Sequence, residues 1–307
     1  MKKILCTLIL LTFCSQVLFA ANNKVGTTGA QFLKIGIGSK PIAMGSAYTA
    51  LADDIHAVYW NPGGIALFKT KQIMAQHIIW FEEINYEYLA LAYPSEKFGT
   101  FAISASYLNS GEIEKRSGDT DEPDGTFDAT DMALAITYGF KLNKAFGFGL
   151  NIKYIKCTID NYDAETFAAD AGFLYKPKNR PLSLGAAIQN IGSEIKYIDE
   201  GDPLPLNIKV GAGYKALSNK ALTLSLDVNY PNDNDVNAGF GTEYNLKIMR
   251  DFFMPLRIGY KTLNDFDLID GLSAGVGFMF KEYSLDIAWV PYGELGDTYR
   301  ISLWIKF

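Results

Sequence analysis

The sequence predicts an all-β fold, an antiparallel transmembrane β-barrel of about 14 strands with a small, partly helical N-terminal hatch in its lumen. Three observations predict it. From Gln72 onward, segments of about ten residues alternate apolar residues with small or polar ones. The charged residues in these segments fall mostly on one phase of the alternation. The longest uncharged runs after residue 20, 55–68 and 98–111, have 14 residues, whereas a membrane helix needs about 20.

The first twenty residues have the features of a secretory signal peptide. A short basic start precedes an uncharged stretch over residues 4–19, and Ala20 and Ala21 offer a cleavage site. A membrane anchor is the alternative, but about sixteen apolar residues are short for a span. We therefore predict a cleaved signal peptide over residues 1–20.

Residues 21–70 lack the alternation and are rich in glycine and other small residues. A short helix is predicted over about Ile42–Leu51. A second helix is predicted to begin at Asn61, a favourable N-cap, with Pro62 at its first position. A barrel of this strand number encloses more space than its own wall side chains fill. We therefore predict that residues 21–70 form a hatch in the lumen of a barrel made by residues 71–307.

The strand pattern repeats fourteen times after the hatch. In one segment Leu222, Leu224 and Leu226 point to one face, and Thr223 and Ser225 point to the other. A soluble β-sandwich also alternates, so the pattern alone leaves that alternative open. The predicted strands lie near 72–81, 86–94, 98–108, 128–140, 146–158, 164–175, 181–191, 204–214, 220–230, 236–246, 255–262, 270–280, 283–291 and 298–307.

The placement of charge favours the barrel over the sandwich. A charge that faces lipid at mid-depth costs about 2–4 kcal/mol and much less near the interface, whereas a surface in water would have no such asymmetry. Glu87, Lys156 and Glu165 depart from the pattern, but they lie at strand ends, where lipid headgroups are expected. The charged residues that oppose the apolar face of their strands are Asp131, Lys153, Asp170, Lys209, Asp227, Glu243, Arg257, Asp286 and Arg300.

The connections between the predicted strands fall into two alternating sets. The shorter connections hold eleven Lys and Arg against three acidic residues, and the longer ones hold 22 acidic residues against three basic ones. In outer membrane barrels, short turns face the periplasm and long loops face the outside. We therefore expect an acidic outer mouth, and we expect both ends of the mature chain in the periplasm.

The composition excludes several classes of protein. The chain has 307 residues, of which 49% are hydrophobic and 20% charged, and this is too apolar for a disordered chain and too polar for a helical membrane protein. Its formal net charge of −6 argues against nucleic acid as a partner. With only 2 His and no cluster of Cys, neither a metal nor another cofactor is predicted. A catalytic Ser–His site would have to use His56 or His77, and no His-Glu-x-x-His motif is present. No catalytic residue and no enzyme is therefore predicted.

Residues 44–64 carry a resemblance to a known family. They include the runs Ala-Tyr-Thr-Ala-Leu-Ala-Asp-Asp and Tyr-Trp-Asn-Pro-Gly-Gly. With these runs, the signal-like start, the strand pattern and the final Phe307, the chain resembles the PorV/PorQ family within the FadL-like outer membrane β-barrels. The resemblance implies a Gram-negative type outer membrane as the location and a hatch inside the barrel. The final aromatic residue resembles the insertion signal read by the outer membrane assembly machinery.

The resemblance implies two functions and does not choose between them. PorV-like members serve type IX secretion, which implies a component of a protein secretion or surface-attachment system with exported proteins or secretion components as partners. Other FadL-like relatives move hydrophobic compounds across the outer membrane, which implies a channel for small hydrophobic ligands. A structural outer membrane protein is the third alternative. Outer membrane lipids are expected partners in every case.

Two groups of residues are candidate site residues. Asn61, Pro62 and Gly63 could be a hinge or a ligand contact, although the start of a helix is the simpler interpretation. Asp53 and Asp54 could guide an ion, although a solvated helix end is simpler. The hatch motif comprises Tyr48, Asp53, Asp54, Trp60, Asn61, Pro62 and Gly63.

The second group consists of charges predicted to line the lumen. We expect its lysine and arginine side chains to pair with aspartates across the lumen, and a substrate path through the lumen is the alternative. The group comprises Asp131, Lys153, Asp227, Arg257, Asp286 and Arg300, with Lys209 as a further cation of the same phase.

Overall fold

The computed structural model describes residues 24–82, 84–119, 121–217, 219–262 and 269–307. The predicted signal peptide over residues 1–20 lies outside the described residues. The described residues form a closed wall of strands and a segment that lies within it.

Fourteen antiparallel strands form the wall, each paired with its neighbours in the sequence, and the last strand pairs with the first. The predicted barrel with a segment in its lumen is therefore confirmed, and the β-sandwich alternative is wrong. The strands are β1 Gln72–Ile79, β2 Asn85–Ser95, β3 Gly99–Lys115, β4 Gly125–Lys141, β5 Phe146–Ile159, β6 Tyr162–Tyr175, β7 Leu182–Gly192, β8 Asn207–Ala216, β9 Leu222–Pro231, β10 Asn237–Met249, β11 Phe252–Lys261, β12 Leu272–Phe280, β13 Tyr283–Pro291 and β14 Asp297–Lys306.

The outer surface of the wall is apolar and the inner surface is polar. In β9, Leu224 and Leu226 are exposed on the outside, while Thr223 and Ser225 are buried on the inside. Large apolar side chains, which a soluble protein buries, are exposed on the outer face of every strand of the barrel. An apolar surface of this extent requires a lipid environment.

The strand boundaries agree with the predicted ones within a few residues, except in the first long hairpin. β3 and β4 each have 17 residues, whereas a tilted strand needs about 9–11 to cross a bilayer. Their pairing shifts register between Asn109 and Glu112 and then continues to Lys115 and Gly125. Much of the predicted loop over 109–128 is therefore paired strand, because its Glu, Ile and Thr residues continue the ladder beyond the membrane.

Residues 24–70, called the lumenal segment below, fill much of the lumen. Its helical elements are a 3₁₀-helix over Gln31–Lys34, the α-helices Ser39–Ala43 and Ala57–Trp60, and a 3₁₀-helix over Pro62–Leu67. Among the described residues, no helix is long and apolar enough to cross a bilayer. The segment packs its apolar side chains against inward-facing wall residues such as Met74 and Ile78.

The predicted helix over Ile42–Leu51 is wrong. The α-helix ends at Ala43, and Gly45 and Ser46 adopt the left-handed region with φ of 63° and 60°. The N–H groups of the residues that follow find wall acceptors instead of helical carbonyls, because Asp227 accepts from Tyr48 and Thr49. The local sequence pattern could not predict this, because Asp227 lies far away in the sequence.

The lumenal segment runs along the barrel axis from one end to the other. Thr28 donates to Asp233, and Gly29 donates to the Pro203 carbonyl, both at the end where the long connections lie (the long-loop end). Further along, Asp53 pairs with Lys176 at the opposite, short-turn end. The expectation that both ends of the mature chain lie at the short-turn end is therefore wrong for the first described residues.

Candidate functional site

Asp54 is the centre of a buried polar cluster in the lumenal segment. Its carboxylate accepts from the Tyr48 hydroxyl at 2.7 Å, from His56 Nδ1 at 2.8 Å and from Lys40 Nζ at 2.9 Å. Burial alone would raise the pKa of Asp54, but Lys40 and then His56 hold it well below its usual value. Asp54 is only 3% exposed, so its interpretation as a solvated helix end is wrong, and it joins three parts of the segment.

Asp53, the neighbouring acid, has a different environment. Its side chain is partly exposed, at 40%, and pairs with the largely covered Lys176, which follows β6. Burial would raise the pKa of Asp53, and Lys176 lowers it below its usual value. The two adjacent acids therefore have separate roles, one inside the segment and one between the segment and the short-turn end of the wall.

Asn61, Pro62 and Gly63 join the segment to the wall at the start of a helix. The prediction of a cap is confirmed, because the Asn61 side-chain oxygen accepts from the Gly63 N–H at 3.1 Å and Pro62 opens the 3₁₀-helix. The Asn61 amide also donates to the Thr49 carbonyl at 2.7 Å and to the Phe173 carbonyl of β6 at 3.0 Å. One buried side chain thus fixes two parts of the segment against the wall.

Tyr48 and Trp60 form the aromatic centre of the segment. Their rings meet edge to face at a centroid distance of 6.4 Å. Trp60 Nε1 donates to the Ile37 carbonyl at 2.6 Å, and Lys209 Nζ lies 4.1 Å from the centroid of the Trp60 ring. Trp60 therefore lies at the boundary between the packed segment and the polar space above it.

A belt of wall glycines receives the backbone of the lumenal segment. A side chain at Gly149 would overlap the Pro62 carbonyl, and one at Gly259 would overlap the backbone of Gly45. Because only glycine allows this approach of two backbones, the wall is shaped to the segment. The members of this glycine belt are Gly139, Gly147, Gly149, Gly172, Gly185, Gly239, Gly241 and Gly259.

The predicted lumen charges are only partly paired as expected. Arg257 is brought together with Asp286 at 2.6 Å, and it also binds Glu243 at 2.7 Å. Lys153 pairs with Asp170 at 2.7 Å and not with Asp131. The positions in the sequence place these residues on the inner face but do not specify which strand supplies the partner.

Three other predicted charges have no cross-lumen ion pair among the described residues. Asp227 accepts from the Tyr48 and Thr49 N–H groups at 3.0 and 2.8 Å. Asp131 lies beside Cys157, its register partner in β5. Arg300 donates to the Gly36 carbonyl at 2.7 Å. Two of the three thus bind the backbone of the lumenal segment.

Two adjoining cavities, together called the vestibule, lie at the long-loop end of the lumen. Their volumes are about 250 and 260 Å³, and Lys34, Gly36, Ser46 and Lys261 line both. The first is also lined by Trp60 and by polar wall residues of β7 to β10, and the second by Arg300. No pattern in the sequence predicted this space. Its only sequence signal is a concentration of Asn and Lys at strand ends on the inner phase.

One further sequence motif has an ordinary structural role. Residues 271–275 match Gly-x-Ser-x-Gly, which in hydrolases presents a nucleophile on a strand-to-helix turn. Here Ser273 lies within β12, and its hydroxyl accepts from the Gly45 N–H at 3.2 Å. His56 and His77 bind Asp54 and Glu87. The described residues also contain no group of His, Cys, Asp and Glu suited to a metal ion.

Residues 19–232 match the sequence model of a family described as type IX secretion system protein PorV. The chain belongs to this family. The match includes the lumenal segment and the wall from β1 to β9. No curated protein sequence matches the chain significantly.

Solved structures with a similar fold are outer membrane transporters. The toluene transporter TbuX of Ralstonia pickettii has a TM-score of 0.58 and 12% identity, over 89% of this chain and 98% of that chain. The toluene transporter TodX of Pseudomonas putida has a TM-score of 0.60 and 12% identity, over 88% and 97%. A Pseudomonas aeruginosa FadL homologue has a TM-score of 0.53 and 13% identity, over 95% and 99%. At these identities the similarity concerns the FadL-like barrel fold alone.

Proposed function

We propose that this chain is an outer membrane component of a type IX protein secretion system, exported by a signal peptide in residues 1–20. Its barrel is a plugged scaffold, and its long loops bind exported proteins or other secretion components. The observation that carries the proposal is the PorV family match over residues 19–232. The packing of the lumen agrees with a scaffold, since a protein that binds cargo at the surface needs no open channel.

Fixation of the lumenal segment supports a scaffold over a gated channel. Asn61, Asp227 and Gln76 each bind backbone groups of the segment or bridge it to the wall, and all three are buried. A buried polar group left without its partner costs about 1–3 kcal/mol. Movement of the segment would break several such bonds at once and would also open the close contacts of the glycine belt.

The hairpin formed by the outer halves of β3 and β4 is the best candidate for a docking element. Residues 110–119 and 121–128 of this projecting hairpin extend beyond the length that a bilayer requires. Ile113 is exposed there, beside Glu112 and Glu114. An apolar residue with acidic neighbours suits a partner surface that carries basic residues around an apolar patch.

Shortening this hairpin tests the proposal. Residues 111–127 are replaced by Asn-Gly, a favoured two-residue turn, and a control of unchanged length carries Asn and Gln in place of Asp119, Asp121, Glu122 and Asp124. The barrel of the shortened variant is expected to assemble, as judged by its heat-dependent gel mobility, while exported proteins accumulate in the periplasm. Loss in the control as well would identify charge as the determinant. Normal secretion by the shortened variant, together with purification as a single chain in mild detergent, would contradict the proposal.

The alternative is a FadL-like channel for small hydrophobic molecules, and the likeness to toluene transporters favours it at the level of the fold. The lumen argues against it, because Ile37, Tyr48, Ile55 and Ile65 are fully buried in the region that such a molecule would have to cross. Uptake of toluene or a fatty acid by cells that express the chain is expected to equal that of cells with an empty vector. Faster uptake would favour the channel.

A further inference from the structure

The vestibule contains three cations without an acidic partner. Lys209, Lys261 and Arg300 line it, and among the described residues none of them forms an ion pair with a carboxylate. Lys209 is 4% exposed and Arg300 is 2% exposed. Removing an unpaired charge from water is strongly unfavourable, so cations in such positions indicate that an anion is the intended partner.

The contacts that these cations do make are with neutral groups. Arg300 donates to the Gly36 carbonyl at 2.7 Å and to the Tyr292 hydroxyl at 3.4 Å, while its Nε has no acceptor among the described residues. Lys209 covers the Trp60 ring. Asp227 attracts Lys209 from beyond ion-pair distance; its Oδ2 accepts two backbone N–H groups, and its Oδ1 has no hydrogen-bond partner among the described residues. The positive charge of the vestibule is therefore available to a ligand.

The same space also presents acceptors that lack donors. The residues Asn207 and Asp233 line the first cavity, and the Oδ1 atom of each is buried and has no hydrogen-bond partner among the described residues. A simple anion such as phosphate offers few donors to satisfy them at neutral pH. A ligand that combines an anionic group with hydroxyl groups fits both the cations and the acceptors.

We propose that the vestibule binds an acidic saccharide, with its carboxylate or phosphate facing Lys209, Lys261 and Arg300 and its hydroxyls donating to Asn207 and Asp233. The two cavities, of about 250 and 260 Å³, far exceed the roughly 10–15 Å³ that one water molecule requires. The loop residues Asp233, Asn234 and Asp235 border the first cavity, so the site opens toward the long-loop end. This inference is independent of a role in secretion.

The lining of the first cavity argues against an acyl chain as the part of the ligand held there, although apolar residues such as Ile42, Trp80 and Val290 line the second cavity. Sites for lipid-like ligands are lined mostly by apolar and aromatic side chains, whereas Asn190, Asn207, Asn229, Asn237 and Thr262 line the first cavity. The shared chemistry could belong to a free sugar acid or to the acidic end of a surface polysaccharide. A monosaccharide probe and an oligosaccharide probe distinguish these two sources.

The test measures binding of glucuronate and of a glucuronate-containing oligosaccharide to the full chain in lipid nanodiscs by titration calorimetry. Lys209→Gln and Lys261→Gln are each expected to weaken binding about tenfold or more, as expected for loss of a charged hydrogen-bond donor. Lys215→Gln, at the short-turn end of the strand that holds Lys209, is the matched control and should bind like the parent chain. Heat-dependent gel mobility confirms that each barrel is folded.

Selectivity decides the chemical class. Binding of glucuronate but not glucose, with loss in both vestibule variants, supports the proposal, and tighter binding of the oligosaccharide assigns the ligand to a polysaccharide. Inorganic phosphate that binds as tightly as glucuronate would reduce the site to an ion site and overturn the saccharide assignment. Tighter binding of decanoate, equal binding of glucose, or no binding of any probe would also overturn it.

Discussion

The packed part of the lumen and the vestibule differ in how their buried polar groups are paired. In the packed part, the Asp54 carboxylate and the Asn61 amide bind several partners each, and glycines bring the wall into contact with the segment. In the vestibule the space is open and the cations Lys261 and Arg300 have no acidic partner among the described residues. The packed part is therefore organised for stability, and the vestibule keeps binding capacity that folding does not use.

The largest expected effect is that of Asp54→Asn. The change leaves Lys40 and His56 facing a neutral amide in a buried site, and breaking a buried ion pair costs about 3–5 kcal/mol. The free energy of unfolding, measured by urea titration in lipid vesicles, should fall by about that amount. Asp53→Asn is the matched control and should cost about 0–1 kcal/mol, because its ion pair with Lys176 is partly exposed. Equal losses in the two variants would show that Asp54 is no special anchor.

The second prediction concerns the glycine belt. In Gly149→Ala the new methyl group overlaps the Pro62 carbonyl, and overpacking of this kind costs about 1–3 kcal/mol. The thermal midpoint of the gel-mobility shift should fall accordingly. Gly125→Ala is the control, because no atom of the described part of the chain lies within 4 Å of a methyl group there and the residue is exposed. An unchanged midpoint for Gly149→Ala would mean that the segment is not held tightly against β5.

The residues behind these two predictions illustrate what the sequence could reveal. Alternation and the one-sided charges predicted the wall correctly, because lipid on one face and a polar lumen on the other impose a period of two. Asn61 and Pro62 predicted a helix start because a cap is a local interaction. The helix predicted over Ile42–Leu51 was wrong because the N–H groups of Tyr48 and Thr49 bind Asp227, nearly 180 residues away.

The partners of the lumen charges could not be predicted for a related reason. Lys153 binds Asp170 on the adjacent strand, whereas Asp131 on the other adjacent strand faces Cys157. Alternation fixes the face of a residue but not its height relative to the next strand, which depends on the stagger of the barrel. The vestibule could not be predicted for the same reason, because inner-face residues of several different strands line it.

The dependence of stability on pH should be weak over a wide range. Burial alone would raise the pKa of Asp54, but Lys40 holds this pKa well below its usual value. The contribution of Asp54 to the free energy of unfolding is therefore complete above about pH 4 and disappears only as the pH falls further. Burial likewise opposes the charge of Lys40, while Asp54 raises its pKa well above 10.5, so its contribution disappears only as the pH rises beyond that value. Thermal midpoints should therefore not fall between about pH 5 and 10. A fall near pH 7 would indicate that another buried group controls the segment.

The smallest expected effect on stability is that of Lys261→Gln in the vestibule. Neutralising a buried charge in the packed part removes half of a pair, whereas this substitution removes a cation that has no acidic partner among the described residues. The free energy of unfolding should therefore change by less than about 1 kcal/mol and can rise, because replacing an uncompensated charge relieves its desolvation cost. A loss as large as that of Asp54→Asn would show that Lys261 is paired within the folded chain. The two parts of the lumen would then follow one rule, and the cations of the vestibule would serve the fold instead of a ligand.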